Sequence, residues 1–284
     1  MCRLFGMTAA PNRVRATFWL LEAPDSLARQ SRRNPDGTGL GTFRPDGTPL
    51  VEKQPLAAYE DQEFAQEARE RESSTFLAHV RHATTGELAP RNTHPFEQHG
   101  RLFAHNGVLA GLDRLEAELG DHRDLVAGET DSERLFALIT KCVDDAGGDV
   151  TAGITAAARW VADTLPLYAI NLVLTTPTGL WALRYPQTHT LFVLARGAGG
   201  RHLEHASAAG RLRVRSGDLS TRPAVVVASE RMDEDAGWRA LAPGELLHVD
   251  GELTVHRQVV IDHAPAHPLD LRQLDARARA AQAP

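Results

Sequence analysis

A chain of 284 residues with 42% hydrophobic composition can bury one large core or two small ones. Its net charge of −6 and pI near 6.1 argue against a surface built for nucleic acid, which needs a basic field. No apolar run approaches a membrane span, the opening Met1–Gly6 lacks the apolar core of a signal peptide, and Cys2 and Cys142 are too few for a disulfide framework, so the sequence points to a reducing cytoplasm.

In chain order, residues 2–9 read as a strand with a buried face, ended by Pro11-Asn12. Residues 16–21 suit a short helix, and the polar stretch 30–41, rich in Arg, Gly and Asp, reads as a loop. Segments 38–43 and 49–52 flank Pro45-Asp46-Gly47 and predict a hairpin. Residues 61–71 carry acidic side chains early and basic ones late, as a helix dipole favours. Compact apolar runs at 75–80 and 101–104 are expected strands. Residues 131–145 give the clearest helix: Leu135, Leu138, Ile139 and Cys142 recur at helical spacing, with Thr130 as N-cap and Glu133 as its capping-box partner. An Ala-rich helix is expected over 151–165, and strands at 168–176, 180–185, 190–194, 225–228, 245–249 and 253–256. No linker divides the chain. Strand groups with helices inserted between them predict a layered α+β fold rather than alternating βαβ units. The expected domain spans 1–268, and 269–284 form a polar tail or surface helix.

Cys2 becomes an N-terminal residue only if Met1 is removed, which a small second residue permits. Its own α-amino group, with a usual pKa of ~7.7–8.0, can then take the thiol proton and return it to a leaving amine without a separate histidine. Taken alone, this cysteine reads more simply as a small apolar residue opening a strand. Asn106-Gly107 stands where the run 102–104 enters an expected turn; an Asn amide and a Gly N–H aimed at one point make an oxyanion hole. The same dipeptide more often makes an ordinary turn. Arg81 ends another strand and precedes His82-Ala83-Thr84-Thr85-Gly86, where a guanidinium fork supplemented by the Thr84 and Thr85 hydroxyls suits a carboxylate; the plain alternative is a structural ion pair. Asp131 opens its helix, where a carboxylate either caps the helix or accepts an ammonium group. A carboxylate clamp with an ammonium acceptor describes the head of an amino acid. A thiolate with an oxyanion hole describes attack on an acyl carbon. Glutamine combines both.

The ordered segments Met1-Cys2-Arg3-Leu4-Phe5-Gly6, Asn34-Pro35-Asp36-Gly37-Thr38-Gly39, Arg81-His82-Ala83-Thr84-Thr85-Gly86, Asn92-Thr93-His94-Pro95-Phe96, His105-Asn106-Gly107 and Thr130-Asp131-Ser132-Glu133 cover roughly the first half of the chain. In them the sequence resembles the class II glutamine amidotransferases of the N-terminal-nucleophile hydrolase superfamily, most of all the small stand-alone members. The resemblance implies a four-layer αββα sandwich, two antiparallel sheets between helical layers. It implies Cys2 as nucleophile with its freed amine as base, and Asn106 and Gly107 in the oxyanion hole. Arg81 would hold the glutamine α-carboxylate with Thr84 and Thr85 nearby, and Asp131 the α-amino group. The implied reaction converts glutamine to glutamate and ammonia through a Cys2 thioester, with no cofactor or metal, and a separate ammonia-accepting synthase as a partner. The chain departs from the larger members at Arg33-Asn34-Pro35-Asp36-Gly37, where they often have Arg-Gly-Pro-Asp-Gly, and at His82, where they usually carry an aromatic residue. Residues after Leu165 are needed to complete the second sheet, which leaves little for a second catalytic domain.

Three other readings are weaker. His79 and His82 have HxxH spacing, with His94, His99 and His105 further on, but an extended strand would put His79 and His82 on opposite faces and no acidic partner has ligand spacing. A non-catalytic binding module would more naturally lack Cys2 or Asp131. A hydrolase for the γ-glutamyl amide of a metabolite, as in ergothioneine-pathway relatives, keeps the chemistry but usually departs from the Asn-Thr-His-Pro-Phe pattern. Cys142, on an apolar helix face, reads as a small buried hydrophobe.

Overall fold

The computed structural model describes residues 2–82, 86–197, 204–206, 213–215 and 222–282. Its strands are β1 (Arg3–Thr8), β2 (Gly37–Phe43), β3 (Pro49–Gln54), β4 (Thr75–Arg81), β5 (Phe96–Gln98), β6 (Arg101–Leu109), β7 (Pro166–Thr175), β8 (Leu180–Leu183), β9 (Phe192–Arg196), β10 (Glu204–Ala206), β11 (Arg213–Arg215), β12 (Ala224–Ala228), β13 (Arg239–Ala240), β14 (Glu245–Val249), β15 (Val255–Val259) and β16 (His267–Pro268). One sheet runs β13-β9-β12-β1-β4-β2-β3, and the other β15-β14-β8-β7-β6-β5 with β16 added beside β7. Their pairings are antiparallel apart from the two-residue β16–β7 contact, and β10 pairs with β11.

Apolar residues sort these elements into layers. Leu4, Leu77, Val225 and Val227 of the first sheet meet Leu102, Ala104, Val173 and Leu247 of the second in a core between the sheets. On the outer side of the first sheet, Phe5, Met7 and Phe76 pack against Phe64 and Ala68 of the helix Gln62–Glu70 and against Phe18 and Trp19. On the outer side of the second, Phe103, Ile170, Leu172 and Leu174 are covered by the helices Asp131–Asp145 and Val150–Thr164. The result is the expected αββα sandwich. With both faces covered, every residue of β1, β2 and β4 is buried, and the polar–apolar alternation of a half-exposed strand is missing from them.

The structure corrects several local expectations. The supposed loop 30–41 contains the end of a short helix (Leu27–Gln30), a 3-10 turn (Ser31–Arg33) and most of β2. Glycines weaken a strand intrinsically, but here they make room: a Cβ on Gly39 would lie 2.0 Å from the His94 carbonyl oxygen, and one on Gly41 2.8 Å from Leu102 Cδ1. The helix expected at 16–21 is a π-helical turn, Phe18–Glu22. The helix Leu112–Leu119, entered through Gly111 at φ +71°, was not anticipated. Thr130 does cap its helix, accepting from the Glu133 N–H at 3.2 Å, but the Glu133 carboxylate accepts from Gly128 N–H (2.6 Å) rather than closing the box on Thr130. The tail carries the helix Ala276–Gln282, with Leu274 and Ala278 packed on Val108, Tyr168 and Ala169.

Candidate active site

The sandwich brings the start of β1, the end of β4, the last third of β6 and the N-terminus of Asp131–Asp145 to one place. Cys2, Arg81, Gly107 and Asp131 line a single small cavity, together with His79, His82, Asn92, His94, His105, Thr130 and Ser132. Thr84 and Thr85 lie outside the described residues.

Cys2 immediately precedes β1, beside the end of β4, where Arg3 pairs with Val80 in the sheet register. Its thiol is held by one peptide: His82 N–H donates to Sγ at 3.1 Å, and Sγ–H donates to the His82 carbonyl at 3.3 Å. Burial pushes the thiol pKa up, against the opposing pull of the His82 N–H and the Arg81 and Arg3 charges. Among the described residues no imidazole nitrogen hydrogen-bonds to Sγ.

Asn106 and Gly107 were expected at a turn; they lie instead inside the continuous strand β6, opposite Asn171 and Ile170. The Asn106 amide still turns toward Cys2, donating from Nδ2 to the Cys2 carbonyl (2.7 Å) and to Ser229 Oγ (3.1 Å). Its Oδ1 accepts from His79 Nε2 at 3.1 Å, which fixes the His79 tautomer as Nε2–H and the amide as Nδ2 toward Cys2. Burial lowers the His79 pKa to about 3, so the ring is neutral. Gly107 is required by crowding, since a Cβ there would stand 1.7 Å from the Ala169 carbonyl oxygen and 2.6 Å from His105 Nε2. His105 bridges Ala169 O (3.2 Å) and Ser132 Oγ (3.0 Å), tying β7 to the helix start.

The register of β6 on β7 shifts between Val108 and Leu109. At that irregularity Leu109 N–H donates to Asp131 Oδ2 (2.9 Å), while Ser132 N–H donates to Oδ1 (2.9 Å). Two backbone donors thus fix a buried carboxylate that keeps lone pairs for a further donor. Arg81, also buried, donates from Nη1 to the Glu87 carbonyl at 3.2 Å.

Cys2, Arg81, Gly107 and Asp131 therefore share one cavity, and Asn106 is hydrogen-bonded to two of its lining residues, Cys2 and His79. Two residues were missed in their present roles. His79 had been weighed only as a metal ligand, and Ser229, which also accepts from Leu4 N–H (2.9 Å), had not been weighed. Ser229 directly follows β12, and only the sheet order puts it beside β1. The expectation that His79 and His82 point apart fails, because His82 lies beyond the last residue of β4 and both border the cavity.

Comparison with known proteins finds similar chains and folds. Residues 1–268 match the family described as "Glutamine amidotransferases class-II". The chain is 30% identical over 260 residues to the gamma-glutamyl-hercynylcysteine sulfoxide hydrolase of Mycobacterium tuberculosis, covering 88% of this chain and 93% of that one. It is 34% identical over 138 residues to a probable glutamine amidotransferase of Saccharomyces cerevisiae; that match covers 44% of this chain and spans 39% of the yeast protein's length. Among solved structures, a glutamine aminotransferase class-II domain protein from Silicibacter pomeroyi superposes with a TM-score of 0.59 at 20% identity, over 93% of this chain and 100% of that one. The glutamine phosphoribosylpyrophosphate amidotransferase of B. subtilis superposes with a TM-score of 0.65 at 19% identity, over 93% and 50%.

Proposed function

The chain belongs to the class-II glutamine amidotransferase family, and we propose that it hydrolyses the side-chain amide of glutamine to glutamate and ammonia through a thioester on Cys2. The observation that carries this reading is the convergence of a thiol, a guanidinium and a carboxylate on one cavity, with the Asn106 amide bonded to the backbone of the thiol's residue. Once Met1 is removed, the Cys2 amine takes the thiol proton as Sγ attacks the amide carbon. Asn106 Nδ2 and Gly107 N–H receive the oxyanion. Ammonia leaves with the proton, and water then releases glutamate from the thioester. Both Asn106 amide hydrogens are engaged before substrate binds, so the bond to the Cys2 carbonyl must be given up to receive the oxyanion. Arg81 takes the α-carboxylate and Asp131 the α-ammonium. A separate synthase would use the ammonia, and the free thiols suit a reducing cytoplasm.

A second reading changes only the leaving group. The match to the mycobacterial hydrolase runs over nearly the whole of both chains, which favours a γ-glutamyl amide of a larger metabolite. Steady-state assays with glutamine and with γ-glutamyl amides of increasing size separate the two: a kcat/KM for glutamine that exceeds every bulkier amide supports the first, and the reverse order supports the second.

Arg81→Ala is expected to raise KM by about 10- to 100-fold, the loss of a charge-assisted contact made in both ground and transition states, with kcat changed far less. An unchanged KM removes Arg81 from the clamp. His79→Ala should do the opposite. Without its hydrogen bond the Asn106 amide can rotate, and kcat should fall by roughly 10²-fold at nearly constant KM. A loss expressed in KM instead would show that His79 does not position the oxyanion donor.

A further inference from the structure

Two guanidinium groups from distant parts of the chain meet one turn beside the cavity. Arg81 donates to the Glu87 carbonyl at 3.2 Å. Arg277, on the helix Ala276–Gln282, donates to the carbonyl of the preceding residue, Gly86, at 3.3 Å. Gly86 has φ +72° and is pressed against a cavity-lining residue, since a Cβ there would stand 2.8 Å from Asn92 Nδ2. The tail that delivers Arg277 is seated on Val108, next to Gly107 in β6, and on Tyr168 and Ala169 of β7. Its first turn is tied by Asp275 Oδ1, which accepts from Ala278 N–H at 2.8 Å.

This arrangement brings a second guanidinium to a site whose opposing charges are the Asp36 and Asp131 carboxylates. Burial is the larger cause that draws down the pKa of Arg81 and of His82, and the Arg277 charge adds to it in both. Arg277 donates to a carbonyl, and among the described residues it has no ion pair with a carboxylate. An anion seated beside the two forks would relieve the repulsion between them.

We propose that Arg277 is a substrate-binding residue: the C-terminal helix brings a second guanidinium to the α-carboxylate that Arg81 receives. The inference rests on the reading of the cavity as a γ-glutamyl amide site. It gives the tail a part in recognition, although the family match ends at residue 268.

The test is inactivation by 6-diazo-5-oxo-L-norleucine, a glutamine analogue with an intact α-carboxylate, followed as mass added to the Cys2 peptide. Arg277→Gln should raise the half-saturating concentration about fivefold, as loss of a solvent-accessible ion pair implies, and leave the limiting rate unchanged. Arg277→Lys should recover part of the loss. Arg272→Gln, an equal charge change elsewhere in the tail, should match the wild type. An unchanged half-saturating concentration in Arg277→Gln, with Cys2 still labelled, overturns this inference alone, as does an equal shift in Arg272→Gln. Absence of Cys2 labelling in the wild-type protein overturns the reading of the site, and this inference with it.

Discussion

Cys2→Ala is expected to lower glutamine turnover by on the order of 10⁴-fold or more, while the protein stays folded. The chemistry needs a covalent acyl acceptor, and alanine offers none. On the proposed mechanism, the remaining groups would still bind substrate but could not form the thioester. The structural cost is small. Sγ engages only the His82 peptide, through contacts of 3.1 and 3.3 Å among the described residues, so its removal takes that partner from the His82 N–H and carbonyl. That costs about 1–3 kcal/mol, well inside the stability of a typical domain. Cys2→Ser keeps a hydrogen-bonding group at the same place and separates the two effects. It should restore thermal stability without restoring turnover, because a hydroxyl is a much weaker nucleophile than a thiol at neutral pH. Cys142→Ala is the matched control: this thiol packs at the edge of a helix-covered core, and burial pushes its pKa up. Turnover should survive there. Substantial activity in Cys2→Ala, at a melting temperature near the wild type, would remove Cys2 as nucleophile.

Much of the layered architecture could be read from the sequence because it rests on local signals. Residues 131–145 carry both helical periodicity and an N-cap, and the helix begins and ends at the expected residues. The hairpin around Pro45-Asp46-Gly47 is set by turn chemistry and formed as β2 and β3. What was misread depends on distant partners. Gly37 looks like a loop residue until Thr93 passes over it, and the overlapping loop and strand expectations at Gly39 and Gly41 are settled for the strand by the His94–Pro95 segment above them. Asn106-Gly107 looks like a turn because that dipeptide commonly is one; β7 instead extends the ladder through it. The same distinction runs through the site. Cys2, Arg81 and Asp131 could be nominated from residue type and position. The hydrogen bonds that aim them join residues far apart in sequence: His79 to Asn106, Asn106 to Ser229, and Leu109 to Asp131. No local pattern encodes such contacts, so the nominations preceded their geometry.

The second large effect concerns the base. Insertion of one lysine between Met1 and Cys2, which blocks exposure of the cysteine amine, should lower turnover by about 10²–10⁴-fold, the usual contribution of a positioned general base. The thiol is buried and its pKa raised, so at neutral pH it carries its proton and needs an acceptor. The histidines around the cavity do not supply one in this geometry. His79, His94 and His105 are held neutral chiefly by burial, and none hydrogen-bonds to Sγ. His79 and His105 are already committed to Asn106 and to Ser132 and Ala169. The α-amine, with a typical pKa of ~7.7–8.0, lies on the same residue as the thiol and is released only when Met1 leaves. Intact mass should therefore show the active protein beginning at Cys2 and the inserted variant retaining its extension. If the extended protein turned over glutamine at the wild-type rate, the amine could not be the base. The half-buried His82, whose peptide already holds Sγ, would then be the group to replace next.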